Sequence, residues 1–150
     1  MKKISALLFS PFRKGAIHFG LLLLRFGVGF LMLPHGLQKL QKFDEKAEGF
    51  YNFLHLGGET SMALTIFAEF FCSLLIILGL GTRLALIPLI IAMVVVIFGV
   101  KAGQPVGERE LGLLYLLPYV FLFISGAGKY SLDHLLFGRK WQDPEINSKP

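Results

Sequence analysis

The stretch that decides the fold is Ala16 to Pro34, AIHFGLLLLRFGVGFLMLP, nineteen residues with one charge, Arg25, near the middle. At 1.5 Å rise per residue such a run covers roughly 25 to 30 Å as a helix, close to the hydrocarbon thickness of a bilayer. Three more runs interrupted by at most one charge come after it: Met62 to Gly81, Leu84 to Val100 and Leu111 to Ala127. The two shorter ones need local thinning or flanking anchors to cross. The reading is an all-α integral membrane protein, a four-helix bundle with short amphipathic interfacial segments, forming one domain over residues 1–150. The spans fall at about 16–34, 62–81, 84–100 and 111–127, and residues 143–150 fray at the end.

Composition agrees with lipid as the solvent. The chain of 150 residues is 54% hydrophobic with 15 Phe, and its mean hydropathy is +0.64, well above globular usage. A soluble helical protein of this length would have too little polar surface to cover four such helices. The N-terminal run from Ile4 to Phe9 is short for a signal peptide, and Pro11, Arg13 and Lys14 stand where a small-residue cleavage site belongs, so it reads as an interfacial stub.

A net charge of +5 would suggest nucleic acid in a soluble chain. Here the basic residues flank spans, and no nucleic-acid partner is expected. With alternating spans, the side that holds both termini carries Lys2, Lys3, Arg13, Lys14, Arg83, Lys129, Arg139, Lys140 and Lys149, nine in all, against five on the other: Lys39, Lys42, Lys46, Lys101 and Arg109. The positive-inside rule then puts both termini in the cytoplasm of a bacterial-type plasma membrane. Cys72, the single cysteine, lies within a span and reads as a small buried hydrophobe.

The one long connection, His35 to Ser61, repeats apolar residues at helical spacing and reads as an amphipathic cap over the bundle mouth. Gly81-Thr82 joins spans two and three as a tight antiparallel hairpin. Tyr130 to Trp141 makes a short amphipathic tail at the opposite interface.

Chemistry, if there is any, belongs to the ionisable residues inside the spans. Arg25 and Glu69 are expensive there, from about 2.5 kcal/mol upward, so each must face the bundle interior and find a partner. Counted from opposite surfaces, each comes out near ~12 Å deep, and the two are expected to pair. Either the pair locks spans one and two together, or it also touches a ligand or proton. Gly29, Met32, Gly36 and Lys39 share the Arg25 face, His35 sits beside them, and Glu108, Arg109 and Glu110 open span four on the same side. These residues suggest a polar funnel leading from the outer face toward Arg25 and Glu69. His18, His35, His55 and His134 lie at or beyond span ends, which does not suit haem, and the sequence shows no metal-ligand spacing, phosphate loop or paired-cysteine motif.

Three segments make the chain resemble the DoxX family of small membrane proteins: Arg25, Gly29 and Pro34-His35-Gly36 with Lys39-Leu40; Ala68-Glu69, Leu78-Gly79 and Thr82-Arg83-Leu84-Ala85; and Glu110 followed by Gly126-Ala127-Gly128-Lys129-Tyr130-Ser131-Leu132-Asp133. The resemblance implies a four-span fold. It also implies a place near thiosulfate:quinone oxidoreductase subunits or thiol and oxidative-stress systems. The third connection departs from the family pattern, leaving the acidic position to either Glu108 or Glu110.

On this reading Arg25, His35 and Lys39 contact a quinone, and Glu69 or Glu110 handles protons. The protein would then be an oxidoreductase subunit with quinone as acceptor, no covalently bound cofactor and no metal. Its partners would be the lipid bilayer and either a redox protein that supplies electrons or further copies of itself. The alternatives are a small transporter or exporter using the funnel, and a structural assembly partner of a membrane redox complex.

Overall fold

A computed structural model describes residues 14–141; the N-terminal stub and the tail beyond Trp141 lie outside the described residues. The described chain is all-α and carries three helices long and apolar enough to cross a membrane. Helix α1 runs Lys14–Gln41, α2 is the short turn Phe43–Lys46, α3 is Gly58–Leu78 and α4 is Thr82–Val100. Helices α5 (Val106–Ser125) and α6 (Leu132–Trp141) complete the order. The first turn of α5 holds Glu108, with Arg109 and Glu110 directly after it. This leaves only Leu111 onward as an apolar run.

The first helix is longer than hydropathy alone predicts. It continues through Pro34, His35 and Lys39 to Gln41, with Pro34 on its exposed side. The buried stripe Leu21, Arg25, Val28, Met32 and Gly36 repeats every three to four residues. On the opposite face Leu23, Phe26, Phe30 and Leu31 are exposed, as are Leu84, Phe98, Leu117 and Ile124 elsewhere. A protein that leaves such residues in a continuous outer belt is solvated by hydrocarbon.

Small residues set the register between α1 and α3. A Cβ on Gly29 would come within 2.5 Å of the Ile77 side chain, and one on Gly36 within 2.6 Å of the Phe70 backbone nitrogen. At Gly36 the helices therefore meet backbone to backbone, and at Gly29 the Ile77 side chain fills the space a side chain would take. Around them Val28, Met32, Cys72, Ile76, Leu86, Leu89, Met93, Tyr119 and Leu122 form the core. Cys72 is buried among these apolar neighbours, as its sequence position suggests.

Two helices contain a π-turn at the same end of the bundle: Phe67–Cys72 in α3 and Val96–Val100 in α4. Each wide turn inserts an extra residue and rotates the helix beyond it, so Ala68, Glu69, Cys72 and Ser73 are all buried together. This end is the mouth. The long connection covers it, with Phe43, Ala47 and Phe50 packed on Met62, Ile66 and Phe70 as a second small core, in keeping with the expected cap. At the other end, the hairpin end, α3 stops at Gly79 in the left-handed conformation, and α4 begins after Gly81.

Candidate functional site

The charged residues of the interior sort into two clusters at opposite ends. At the mouth, Lys39 Nζ donates to Glu69 Oε2 at 2.5 Å. The Glu69 side chain is 4% exposed and that of Lys39 is 27% exposed. Glu69 is held inward by its π-turn, and Lys39 reaches it because α1 extends past the predicted end of the span.

This pair stands between two cavities and lines both. The smaller, about 140 Å³, is walled by Met32, His35, Met93, Val96, Gly112 and Tyr115 and rimmed by Lys101, Glu108 and Leu111. Lys101 pairs with Glu108, Nζ to Oε2 at 3.6 Å, and also donates to the Glu108 backbone carbonyl. The His35 ring meets Tyr115 edge-on with centroids 6.1 Å apart, and Tyr115 stacks on Tyr119 at 6.0 Å. The larger cavity, about 550 Å³, lies between α3, α4 and the capping segment. Phe50, Tyr51, Phe53, Phe67, Ile91 and Val95 give it an apolar, aromatic wall. Its size falls within the roughly 300 to 1,000 Å³ usual for small-molecule sites.

Arg25 belongs to the other cluster, which corrects the expected Arg25–Glu69 pair. Gly36 abuts the Glu69–Phe70 peptide, whereas a Cβ on Gly79 would overlap Arg25 Nη1. Eleven residues of helix, about 16 Å, separate the level of Arg25 from that of Glu69. Both helices overrun the mouth, so depth counted from hydropathy edges misplaces Glu69. Arg25 is fully buried, so it has not turned toward lipid. Its Nη2 donates to the Tyr130 carbonyl at 2.5 Å. No carboxylate among the described residues forms an ion pair with it. Its charge sits instead at the C-terminal end of α3, where the helix dipole is negative.

The segment after α5 closes over this cluster. Asp133 Oδ1 accepts from Gly81 N at 2.6 Å and Oδ2 from Thr82 N at 2.9 Å, capping α4, while Asp133 N donates to the Gly79 carbonyl at 2.8 Å. Ser131 Oγ accepts from His134 N at 3.2 Å and starts α6. The Gly126 to Asp133 stretch is thus a clamp that ties the hairpin to Arg25.

Of the residues singled out by sequence, Glu69, Lys39, His35 and Met32 converge at the mouth, and Glu108 joins them. Glu110 is exposed and lines neither cavity, so of the two candidate acidic positions Glu108 is the one on the chamber. Arg25 stands apart, and the funnel ends at Glu69. Sequence reasoning missed Lys101, Tyr115 and the pairing role of Lys39. The signal for Lys39 was its place on the Arg25 face, fourteen residues on, although Pro34 between them reads as a helix end.

An all-α chain with long apolar helices, an outward belt of lipid-facing residues and a charged pair at one end defines a small polytopic membrane protein. This chain belongs to the DoxX family, whose profile matches residues 20–102. It is 34% identical over 131 residues to an uncharacterized membrane protein of Mycobacterium tuberculosis, covering 77% of this chain and 80% of that one. It is also 32% identical over 121 residues to an uncharacterized protein of Haemophilus influenzae, covering 76% of this chain and 88% of its relative. No solved structure matches the chain.

Proposed function

We propose that this DoxX-family membrane protein is a quinone-linked redox subunit, and that the larger cavity at the mouth is its quinone site. The observation that carries the reading is a charged pair, Lys39 and Glu69, facing an apolar aromatic cavity of about 550 Å³. Such a cavity suits a lipophilic ring and the start of an isoprenoid tail, and the pair supplies the few polar groups that fix orientation.

Bound quinone would supply two-electron chemistry coupled to two protons, with the electrons drawn from a substrate or partner protein. The chain's own residues do the rest. Lys39 offers an ammonium donor to a carbonyl oxygen. Glu69 holds a proton acceptor at the same place. The aromatic residues Phe50, Tyr51, Phe53 and Phe67 keep water from the apolar wall. His35 faces the smaller cavity and Arg25 faces neither, so direct contact with the ring falls to Lys39 and Glu69. Both termini are assigned to the cytoplasm by the nine-to-five distribution of Lys and Arg, with α5 as the fourth crossing. The mouth then faces outward.

The test is binding of a short-tailed benzoquinone analogue to the purified protein, read as a thermal shift in detergent. The analogue should raise the midpoint of the parent, and Ala92→Phe, which fills the larger cavity, should abolish the rise without lowering the ligand-free midpoint by more than a few degrees. An equal rise in parent and variant, or none in either, overturns the assignment.

A further inference from the structure

The smaller cavity differs from the larger in what it can hold. It is bounded by six polar or ionisable side chains, His35, Lys39, Glu69, Lys101, Glu108 and Tyr115. At about 140 Å³ the cavity has room for several waters, and these six side chains, set among Met32, Met93, Val96 and Leu111, offer them hydrogen-bond partners. One end reaches the Lys39–Glu69 pair. The other ends at Lys101 and Glu108, whose side chains are 33% and 65% exposed. Tyr51 approaches from the capping segment, its hydroxyl against Gly99. From α5, Tyr119 stacks under Tyr115 with its hydroxyl buried and without a hydrogen-bond partner.

Below the pair the packing is tighter and mostly apolar. Leu21, Ile76, Leu86, Leu89 and Leu122 are 6% exposed or less and fill the bundle toward the hairpin end, and the buried hydroxyls among them, Ser73, Thr82 and Tyr119, have no hydrogen-bond partner. Arg25 sits among them as a buried cation, and a fixed positive charge in a low-dielectric passage repels protons. The clamp from Gly126 to Asp133 covers what remains.

We infer that the smaller cavity is a water-filled proton port open only at the mouth, so that Lys39 and Glu69 exchange protons with the mouth-side solution and not with the hairpin side. Glu108 is the surface carboxylate of the port, and His35 and Tyr115 are its wall. The inference rests on the quinone reading only for the use made of these protons: two would reach each reduced ring through Glu69.

The experiment measures solvent access and contains no quinone, so its failure and the failure of quinone binding are separate results. In a Cys72→Ser background, Met32→Cys places a thiol at the floor of the port, and Tyr115→Cys gives a second position should the first variant not fold. The protein is reconstituted in sealed phosphatidylcholine vesicles. Ala102→Cys, on the exposed mouth-side connection, identifies that side. Leu86→Cys, in the core and on neither cavity, is the control for non-specific entry. A small charged methanethiosulfonate should label the port thiol at least about tenfold faster from the mouth side than from the hairpin side, since a thiol reacts only where water and reagent reach it. Leu111→Trp, at the rim, should slow that labelling. Labelling from neither side would mean a dry cavity, and labelling at comparable rates from both sides would mean a path past Arg25. Either result overturns the inference.

Discussion

Lys39 and Glu69, thirty residues apart, form one ion pair across the α1–α3 interface at 2.5 Å, and that pair is shared by both cavities of the mouth. It joins a charge at the end of one helix to a carboxylate in the π-turn of the next. Removing one partner strands the other, whereas removing both need not.

Glu69 is nearly fully buried, so Lys39→Met should destabilise the protein by about 3 kcal/mol by leaving a carboxylate without its cation. The double variant Lys39→Met/Glu69→Leu should recover most of that loss, and the exchange Lys39→Glu/Glu69→Lys should recover part. Thermal unfolding of these proteins and of the single variant Glu69→Leu in one detergent closes the cycle and gives the coupling. Additive effects would show that the two side chains do not interact.

Gly79 and Gly81 both have positive φ, +70° and +56°, but only Gly79 lies against Arg25. Alanine at Gly81 meets no neighbour and should cost about 1 to 2 kcal/mol for the left-handed backbone alone. Alanine at Gly79 meets the guanidinium as well and should lower the unfolding midpoint far more. Equal midpoints for the two variants would contradict the position given to Arg25.

A similar contrast tests the register of α1. Gly36→Ala drives a methyl into the Glu69–Phe70 backbone, while Gly27 has nothing within 4 Å of its Cβ position. Gly27→Ala should leave stability unchanged or raise it by up to about 1 kcal/mol. Gly36→Ala should destabilise and should weaken quinone-analogue binding, because it displaces the turn that holds Glu69.

Asp133 satisfies two backbone donors at the start of α4. Replacing it by Ala should cost about 1 to 2 kcal/mol, and Asn should retain part of the cap. Hydrogen exchange at the Gly81 and Thr82 amides reports this directly, with faster exchange in Asp133→Ala than in Asp133→Asn.

Two neighbouring acids on α5 separate the chamber from the surface. Glu108 lines the smaller cavity and Glu110 does not. Under the proposed function, quinone-linked turnover in membranes should fall in Glu108→Gln and hold in Glu110→Gln. The opposite order would assign the acidic role to Glu110.

What the amino-acid order determined by itself was everything that depends on solvent. Runs such as Ala16 to Pro34 and Leu84 to Val100 are stable only where hydrocarbon replaces water, and a chain in hydrocarbon must satisfy its backbone internally, so the all-α membrane class was legible. So was the rule that Arg25 and Glu69 turn inward. Which charge meets which was decided by tertiary structure. Contacts at Gly29 and Gly36 set the sliding position of two helices, and a slide of about 16 Å changes the partner of Glu69 from residue 25 to residue 39. The two π-turns and the clamp from residues 126 to 133 likewise have no periodic trace in hydropathy, because they arise from backbone hydrogen bonds made only after the helices are packed.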